Sequence, residues 1–141
     1  MKRIYTLLIV AAVTVFSFIA FAGTPIKYNK LPKPAREFVK KHFPKHSVKS
    51  VEKDYDEYEL EFTDGSEIDF TSHGDWLSVK VDYGTGVPSG IVPVAVEGYV
   101  AKNHPGQIIE EISKIRGGYE IELRSGKEIR LTFDGKVMRK R

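Results

Sequence analysis

Residues 57–71 read EYELEFTDGSEIDFT, and the alternation in this stretch decides the fold. Over residues 57–62 each glutamate is followed by an apolar residue, which is the pattern of a strand with one face in a core and the other in solvent. Asp64-Gly65 then supplies a turn in which glycine adopts a positive φ at little cost. The apolar alternation resumes over residues 67–71. The stretch therefore predicts a β-hairpin with one apolar face and one acidic face.

The same pattern returns at residues 118–132, which read GYEIELRSGKEIRLT. A shift of 61 residues lays Leu31–Lys80 over Val92–Arg141 without a gap, and thirteen of the fifty pairs are identical. Average amino-acid usage gives about three identities by chance. The prolines and glycines that bound helices or form turns recur at the same offset, at Pro32/Pro93, Pro44/Pro105, Gly65/Gly126 and Gly74/Gly135. We therefore predict two tandem copies of one unit.

Each copy begins with a pattern that predicts a short helix. Ala35, Phe38, Val39 and His42 lie at positions i, i+3, i+4 and i+7, and the 61-residue shift gives Val96, Tyr99, Val100 and Asn103. Pro44 and Pro105 follow and end these helices. The predicted unit is thus a helix followed by three or four antiparallel strands.

These elements predict an α+β fold, in which two tandem helix-plus-antiparallel-strand repeats form one curved antiparallel sheet with helices on one face. The first repeat spans residues 23–81, a Gly- and Pro-rich connector spans 82–91, and the second repeat spans 92–141. We expect residues 23–141 to form one compact domain. The sheet face away from the helices is expected to be open.

The N-terminus carries the features of a signal peptide over residues 1–22. Lys2 and Arg3 precede an apolar run over residues 4–21, and Ala20-Phe21-Ala22 supplies the pattern that a signal peptidase cleaves. We therefore predict a periplasmic or secreted protein. The alternative is that the apolar run is retained as a membrane anchor, because it is about long enough to span a bilayer.

Composition narrows the function. The chain has no cysteine, so we expect neither disulfides nor thiolate chemistry. Removing Lys2 and Arg3 leaves 20 basic and 19 acidic residues, so the high isoelectric point gives no reason to expect nucleic-acid binding. The charges are segregated, with lysines concentrated over residues 27–49 and carboxylates over 57–69.

Patterns of catalytic and metal-binding residues are weak. His42 and His46 are four residues apart, but Pro44 lies between them and breaks the helix that would aim both at a metal. Ser72, His73 and Asp75 share one turn, whereas a catalytic triad needs residues that converge from separate elements. The acidic residues of 57–61 alternate as the solvent face of a strand does. We therefore predict no enzyme, no cofactor and no metal site.

The parity of the strands predicts which side chains form the open face. Trp76 and Lys80 alternate with Leu77, Val79 and Val81, so they are expected to point away from the core, Trp76 as a binding anchor. The alternative for Trp76 is that it begins its strand and folds over the edge of the core. The same parity assigns to this face Glu59, Glu61, Asp69, Glu120, Glu122, Arg124 and Arg130. We expect a surface of two characters, acidic in the first repeat and of mixed charge in the second.

These residues resemble a known family, the β-lactamase-inhibitor-like, PepSY-like secreted proteins of Bacteroidetes. The resemblance rests on Leu31-Pro32, His42-Phe43-Pro44, Tyr58–Phe62, Asp64-Gly65, Gly74-Asp75-Trp76 and Val87-Pro88. It implies tandem αβ repeats that form a curved sheet, whose concave face grips a protein in the namesake inhibitor. The namesake's disulfides have no counterpart here. The resemblance supplies no catalytic residues, and inhibition of a β-lactamase does not follow from the family's name.

The sequence therefore predicts a noncatalytic exported module that binds an unidentified protein or peptide through its open sheet face, of the inhibitor or sensor type. Association with the cell envelope or with a membrane surface through the lysine-rich first helix is the alternative. An unrecognised hydrolase is the third hypothesis.

Overall fold

The computed structural model describes residues 23–139, so the predicted signal peptide lies outside the described residues. The elements follow in the order β1 Thr24–Pro25, α1 Lys33–His42, β2 Val48–Asp54, β3 Glu57–Phe62, β4 Glu67–Thr71, β5 Trp76–Lys80, α2 Val94–Asn103, β6 Ile109–Ile115, β7 Gly118–Leu123 and β8 Glu128–Thr132. A 3-10 turn at Tyr28–Lys30 precedes α1. Within residues 23–139, no helix has the length and apolar character that crossing a membrane requires.

All eight strands belong to one antiparallel sheet whose spatial order follows the chain from β1 to β8. The contact between β5 and β6 joins the two halves, with Val79 opposite Ile112. The bounds of α2, β6, β7 and β8 each lie 61 residues beyond those of α1, β2, β3 and β4. The predicted α+β class with an open antiparallel sheet is confirmed.

The core lies on the face of the sheet that the two helices cover. One cross-strand row of that face is buried from end to end, and it comprises Val51, Leu60, Ile68, Val79, Ile112, Ile121 and Ile129. The helices contribute Ala35 and Val39 from α1, and Val96 and Val100 from α2. Each fully buried aliphatic side chain contributes roughly 1.5–3 kcal/mol, so this apolar row is what holds the helices to the sheet.

Two glycines set how closely the strand turns approach the helices. Gly74 has a φ of +91°, and a Cβ on it would lie 2.9 Å from the backbone nitrogen of Ala35 in α1. Gly135 has a φ of +81°, and its Cβ would lie 2.6 Å from the carbonyl oxygen of Ala95 in α2. The positive φ and the lack of space both require glycine, which explains why this residue recurs at the 61-residue spacing.

Candidate functional site

The face of the sheet opposite the helices carries two parallel cross-strand rows of polar side chains, which we call the open face. The first row runs across β2 to β8 through Ser50, Glu61, Glu67, Lys80, Glu111, Glu122 and Glu128. The second row runs through Glu52, Glu59, Asp69, Ser78, Ser113, Glu120 and Arg130. None of these residues is buried.

Carboxylates dominate the open face, with nine carboxylates against the two cations Lys80 and Arg130. The acidic side chains of both halves share the first row, since Glu111, Glu122 and Glu128 continue it beyond Lys80. The second half contributes four carboxylates and Arg130 to the rows, so it is more acidic than the predicted mixture, which included Arg124. The first row is acidic in both halves because β6 contributes Glu111 and β8 contributes Glu128.

Four of these carboxyl groups have a raised pKa. Partial burial raises the pKa of Glu59, and the carboxylates of Asp69 and Glu67 add to the shift. Burial likewise raises the pKa of Asp69, although the Ser78 hydroxyl donates to its Oδ2 at 2.8 Å and opposes the shift. The pKa values of Glu67 and Glu111 are also raised by burial, and Lys80 opposes both shifts. On the open face, partial burial thus disfavours the charged form of these four carboxyl groups, and neighbouring carboxylates add to this effect for Glu59, Glu67 and Glu111.

The cations near this face neutralise only part of its charge. Arg130 lies directly opposite Glu120, and its Nε donates to the carboxylate Oε2. Lys49, the extra residue of a β-bulge in β2, places its Nζ 2.8 Å from Oε1 of Glu61. The first-row neighbours of Lys80 are Glu67 and Glu111. The remaining carboxylates keep the face acidic.

Two concavities lie on the acidic surface. The larger one has a volume of about 270 Å³ and is lined by Gly23, Glu52, Asp54, Glu57, Tyr58, Glu59 and Asp69. The smaller one has a volume of about 80 Å³ and is lined by Glu111, Ser113, Glu120, Glu122 and Glu128. Each half therefore has its own carboxylate-lined depression.

Arg124 lies apart from these rows, one residue beyond the end of β7. Its Nε donates to Glu110 at 2.6 Å, and its Nη1 donates to the carbonyl oxygen of Gly84 at 2.9 Å. These bonds tie the turn after β7 to β6 and to the connector between the halves. The arrangement assigns Arg124 a contact with the connector, and the open face retains the other charged residues that the sequence predicts for it.

Trp76 does not lie on the open face, so the prediction from strand parity is wrong. The pairing of β4 with β5 shifts between Asp69 and Phe70, so that Leu77 is an extra residue and Trp76 pairs with Phe70. This β-bulge turns Trp76 to the helix side, where its ring stacks on Phe38 at 6.5 Å and on Tyr119 at 6.4 Å. The ammonium of Lys114 lies 4.2 Å from the centre of the Trp76 ring. Trp76 thus packs at the margin of the core, as the alternative interpretation had it.

A second polar cluster lies where the connector meets the first half. It comprises His46, Asp64, Ser66 and Tyr83. The Tyr83 hydroxyl donates to Oδ2 of Asp64 at 2.5 Å and lies 2.5 Å from Nε2 of His46. Burial would raise the pKa of Asp64, but bonds from Tyr83 and Ser66 outweigh it and lower that pKa. His46 also packs its ring on Phe43 and Phe62. The cluster anchors the connector to the turn between β3 and β4.

The chemistry available to this surface is recognition by charge. Across residues 23–139, no three His, Cys, Asp or Glu side chains are arranged to hold a metal ion. Ser72 Oγ and His73 Nδ1 are 3.3 Å apart on an exposed turn. This pair lies in neither of the two acidic concavities, and within residues 23–139 no acidic side chain forms a hydrogen bond with His73.

Glu52, Glu67, Glu111 and Glu128 were not among the predicted site residues. Glu67 and Glu128 carry a parity signal, since they alternate with Ile68 and Ile129 in their strands. Glu52 and Glu111 follow bulges at Lys49 and Glu110, which interrupt the alternation of β2 and β6. Only the pairing register brings them into the two rows.

The fold and the site define a class: an open antiparallel sheet with helices on one side and a carboxylate-rich face on the other. Two segments, residues 19–64 and 56–139, match the model of the family described as "Putative beta-lactamase-inhibitor-like, PepSY-like". The chain belongs to this PepSY-like family, as its sequence motifs predicted. No curated protein matches the chain.

Solved structures from Bacteroides share the fold. A putative periplasmic protein from Bacteroides vulgatus is 34% identical with a TM-score of 0.77, and 85% of this chain covers 97% of it. A second B. vulgatus periplasmic protein of unknown function is 34% identical with a TM-score of 0.71, over 80% and 93% of the two chains. A putative calcium-regulated periplasmic protein from Bacteroides thetaiotaomicron is 29% identical with a TM-score of 0.77, over 85% and 97%.

These neighbours are all described as periplasmic, which confirms the prediction of a periplasmic or secreted protein. The descriptions of the family and of these neighbours name no catalytic activity.

Proposed function

We propose that the protein is a noncatalytic exported binding module that engages another protein or peptide through its open face, in the manner of an inhibitor or a sensor module. The observation that supports this function is the pair of polar rows that crosses both halves with nine carboxylates and two cations. A face of this size and sign, left uncovered by the two helices, selects a partner by charge.

The two halves are, in this proposal, copies of one unit that merge into a single platform. The shared 61-residue offset of helices and strands supports it. Duplication doubles the length of the first row, since β3 with β4 supplies Glu61 and Glu67, and β7 with β8 supplies Glu122 and Glu128. A longer row favours an extended or large partner over a small ion.

The negative charge of the open face indicates the chemistry of the proposed partner. A partner with several Lys or Arg side chains would relieve the repulsion between carboxylates that adds to burial in raising the pKa values of Glu59, Glu67 and Glu111. An acidic partner would increase that repulsion. The proposed partner is therefore a protein or peptide that presents a basic surface.

The test is a crosslinking pull-down from native envelope extract, followed by binding measurements with the recovered partner. The double variant Glu59→Gln/Asp69→Asn removes two charges from the second row. The control Glu37→Gln/Asp56→Asn removes the same charge from an exposed position on α1 and an exposed turn. The proposal expects about tenfold weaker binding for the first variant and no change for the control. Recovery of no protein, or equal binding by both variants, contradicts it.

The effect of calcium on partner binding is measured separately, because the B. thetaiotaomicron neighbour is described as calcium-regulated. The described residues hold no preformed group of three metal ligands. The proposal therefore expects calcium to act as a competing cation at millimolar concentration, with an effect that an equal ionic strength of sodium chloride reproduces in part. Stoichiometric calcium binding that orders the acidic concavities would replace the peptide proposal with a metal-dependent one.

Attachment to an anionic envelope surface is the second candidate. The side chains of Lys33, Lys40 and Lys41 are exposed on α1, on the side of the molecule away from the acidic face. Sedimentation with vesicles of anionic and of neutral lipid distinguishes the two candidates. Salt-sensitive binding to the anionic vesicles that is lost on Lys40→Gln/Lys41→Gln favours attachment.

A further inference from the structure

A groove on the helix side of the second half has a volume of about 420 Å³. It lies between the connector, α2 and the beginning of β6. Val92 and Val100 supply apolar wall, Ile109 lies at the beginning of β6, and Ser89, Glu97 and His104 supply polar groups. The groove is on the face of the sheet opposite the carboxylate rows, so it is independent of the open face.

The turns before the two helices show which residues of the first half correspond to those that line the groove. Its turn before α1 is closed by the Lys30 nitrogen donating to the Lys27 carbonyl at 2.9 Å. The turn before α2 is closed in the same way by Ile91 and Pro88, also at 2.9 Å. Since the turns match at the 61-residue offset, Tyr28 corresponds to Ser89.

Aromatic rings fill the first half at the positions where the second half has small or polar residues. Tyr28 packs against the core, and its hydroxyl lies 3.5 Å from the carbonyl oxygen of Arg36 in α1. Phe43 is 2% exposed and stacks on Phe62 at 5.1 Å. His104 takes the position of Phe43 at the end of α2 and remains half-buried.

The connector adds a wall that the first half lacks. The Val87 nitrogen donates to the carbonyl oxygen of Ile109 at 2.9 Å, whereas the corresponding Ile26 bonds to Val51 further along its strand. The connector thus lies against the beginning of β6, and Val87 lines the groove there. The groove is therefore bounded by the connector and lacks the aromatic side chains that Tyr28 and Phe43 supply in the first half.

The charge of the groove also differs between the halves. Arg36 in the first half corresponds to Glu97 in the second, and Glu97 lines the groove. Within residues 23–139, no ion pair to Glu97 is found. A cation beside an aromatic ring would complement this carboxylate.

We propose that this groove binds a peptide through one aromatic side chain that is flanked by a basic residue. The aromatic ring takes the place that Tyr28 and Phe43 take in the first half, and the basic residue pairs with Glu97. The segment Lys27-Tyr28-Asn29-Lys30 provides the pattern, because it packs a tyrosine between lysines against the matching part of the first half.

The test uses the acetylated peptide KYNKLPK, which copies residues 27–33, and the control peptide KSNKLPK, which keeps every charge but lacks the ring. Methyl NMR of the protein follows Val92, Val100 and Ile109 in the groove. The proposal expects saturable shifts of these methyl groups with the first peptide and at least about tenfold weaker binding of the second. Absence of shifts at millimolar KYNKLPK overturns it.

Variants separate the groove from the acidic open face. Ser89→Tyr supplies the ring that the first half carries and should abolish the methyl shifts, whereas Val94→Tyr adds the same ring at a position that is 85% exposed and outside the groove. His104→Phe serves as a second filling variant if Ser89→Tyr does not fold. Glu97→Gln should weaken binding severalfold. Binding that persists in both filling variants, or that requires Glu59 and Asp69 instead, contradicts the groove and leaves the open-face proposal standing.

Discussion

Trp76 lies opposite Phe70 in the sheet, although an uninterrupted ladder would place Leu77 there. The one-residue bulge at Leu77 moves the indole from the solvent side to the helix side, where it stacks between Phe38 and Tyr119. The largest side chain of the chain thereby fills the margin of the core between the two halves. Its role is packing, and the open face is left to the carboxylates.

Trp76→Ala should therefore destabilise the protein without removing partner binding at the open face. We expect a loss of about 2 kcal/mol in the free energy of unfolding, less than for a fully buried aromatic residue, because the indole is only half-buried. Urea denaturation measures the loss. Tyr55→Ala is the control, since Tyr55 is 92% exposed and should change stability little. Loss of partner binding at unchanged stability would instead indicate that Trp76 is a binding anchor.

Asp69→Asn should stabilise the fold at neutral pH. Burial raises the pKa of Asp69, so the folded state disfavours the carboxylate, and the amide oxygen still accepts from Ser78. Because the folded pKa exceeds the unfolded one, the native state binds more protons between these values, and the stability of the unmodified protein falls as pH rises through that window.

The gain from Asp69→Asn should accordingly be complete above the raised pKa and disappear as pH falls to the ordinary carboxyl range. Thermal denaturation at a series of pH values measures it. Asp56→Asn removes a charge from an exposed turn and serves as the control. A gain that is independent of pH would show that the effect is not electrostatic.

Two glycine substitutions should act in opposite directions. A Cβ on Gly118 would lie 1.9 Å from the carbonyl oxygen of Leu131 on the paired strand, so Gly118→Ala should cost about 3 kcal/mol through displaced backbone. Gly98 is exposed in α2 with nothing within 4 Å of a Cβ, so Gly98→Ala should stabilise the helix by about 0.5–1 kcal/mol. Chemical denaturation of both variants tests the pair, and an equal effect would contradict the close strand approach at Gly118.

Tyr83→Phe should loosen the connector. The hydroxyl of Tyr83 bonds to Asp64 and His46, and its loss should cost about 1 kcal/mol. The pKa of Asp64 is lowered by this bond and the bonds from Ser66, so it should rise in the variant. A depressed folded pKa stabilises the protein above the ordinary value, and that stabilisation is lost as pH falls through the folded pKa.

The difference between Tyr83→Phe and the unmodified protein should therefore be largest near neutral pH and shrink in acid. Carboxyl NMR of Asp64 measures the pKa directly, and faster amide exchange at residues 82–86 reports the looser connector. Ser72→Ala, on an exposed turn of the same half, is the control. An unchanged pKa of Asp64 would contradict the role of the hydroxyl.

The helices, the hairpins and the acidic character of the open face could be predicted because each depends on local periodicity. The period-two alternation of residues 57–62 and the matching pattern of 118–123 become β3 and β7 with the expected parity. The prolines before α1 and α2 mark the helix starts within a residue. These features can be predicted from the sequence because the backbone geometry of a helix or strand repeats over a few residues.

By itself the sequence determined the family, the α+β class and which strands have an acidic side. Only the tertiary structure decided the face of Trp76, the membership of Glu52 and Glu111 in the carboxylate rows, and the groove beside α2. The physical reason is that each of these depends on register. One extra residue in a bulge reverses the side on which every following side chain lies, and a groove arises from residues that meet only when the connector, helix and strand pack together.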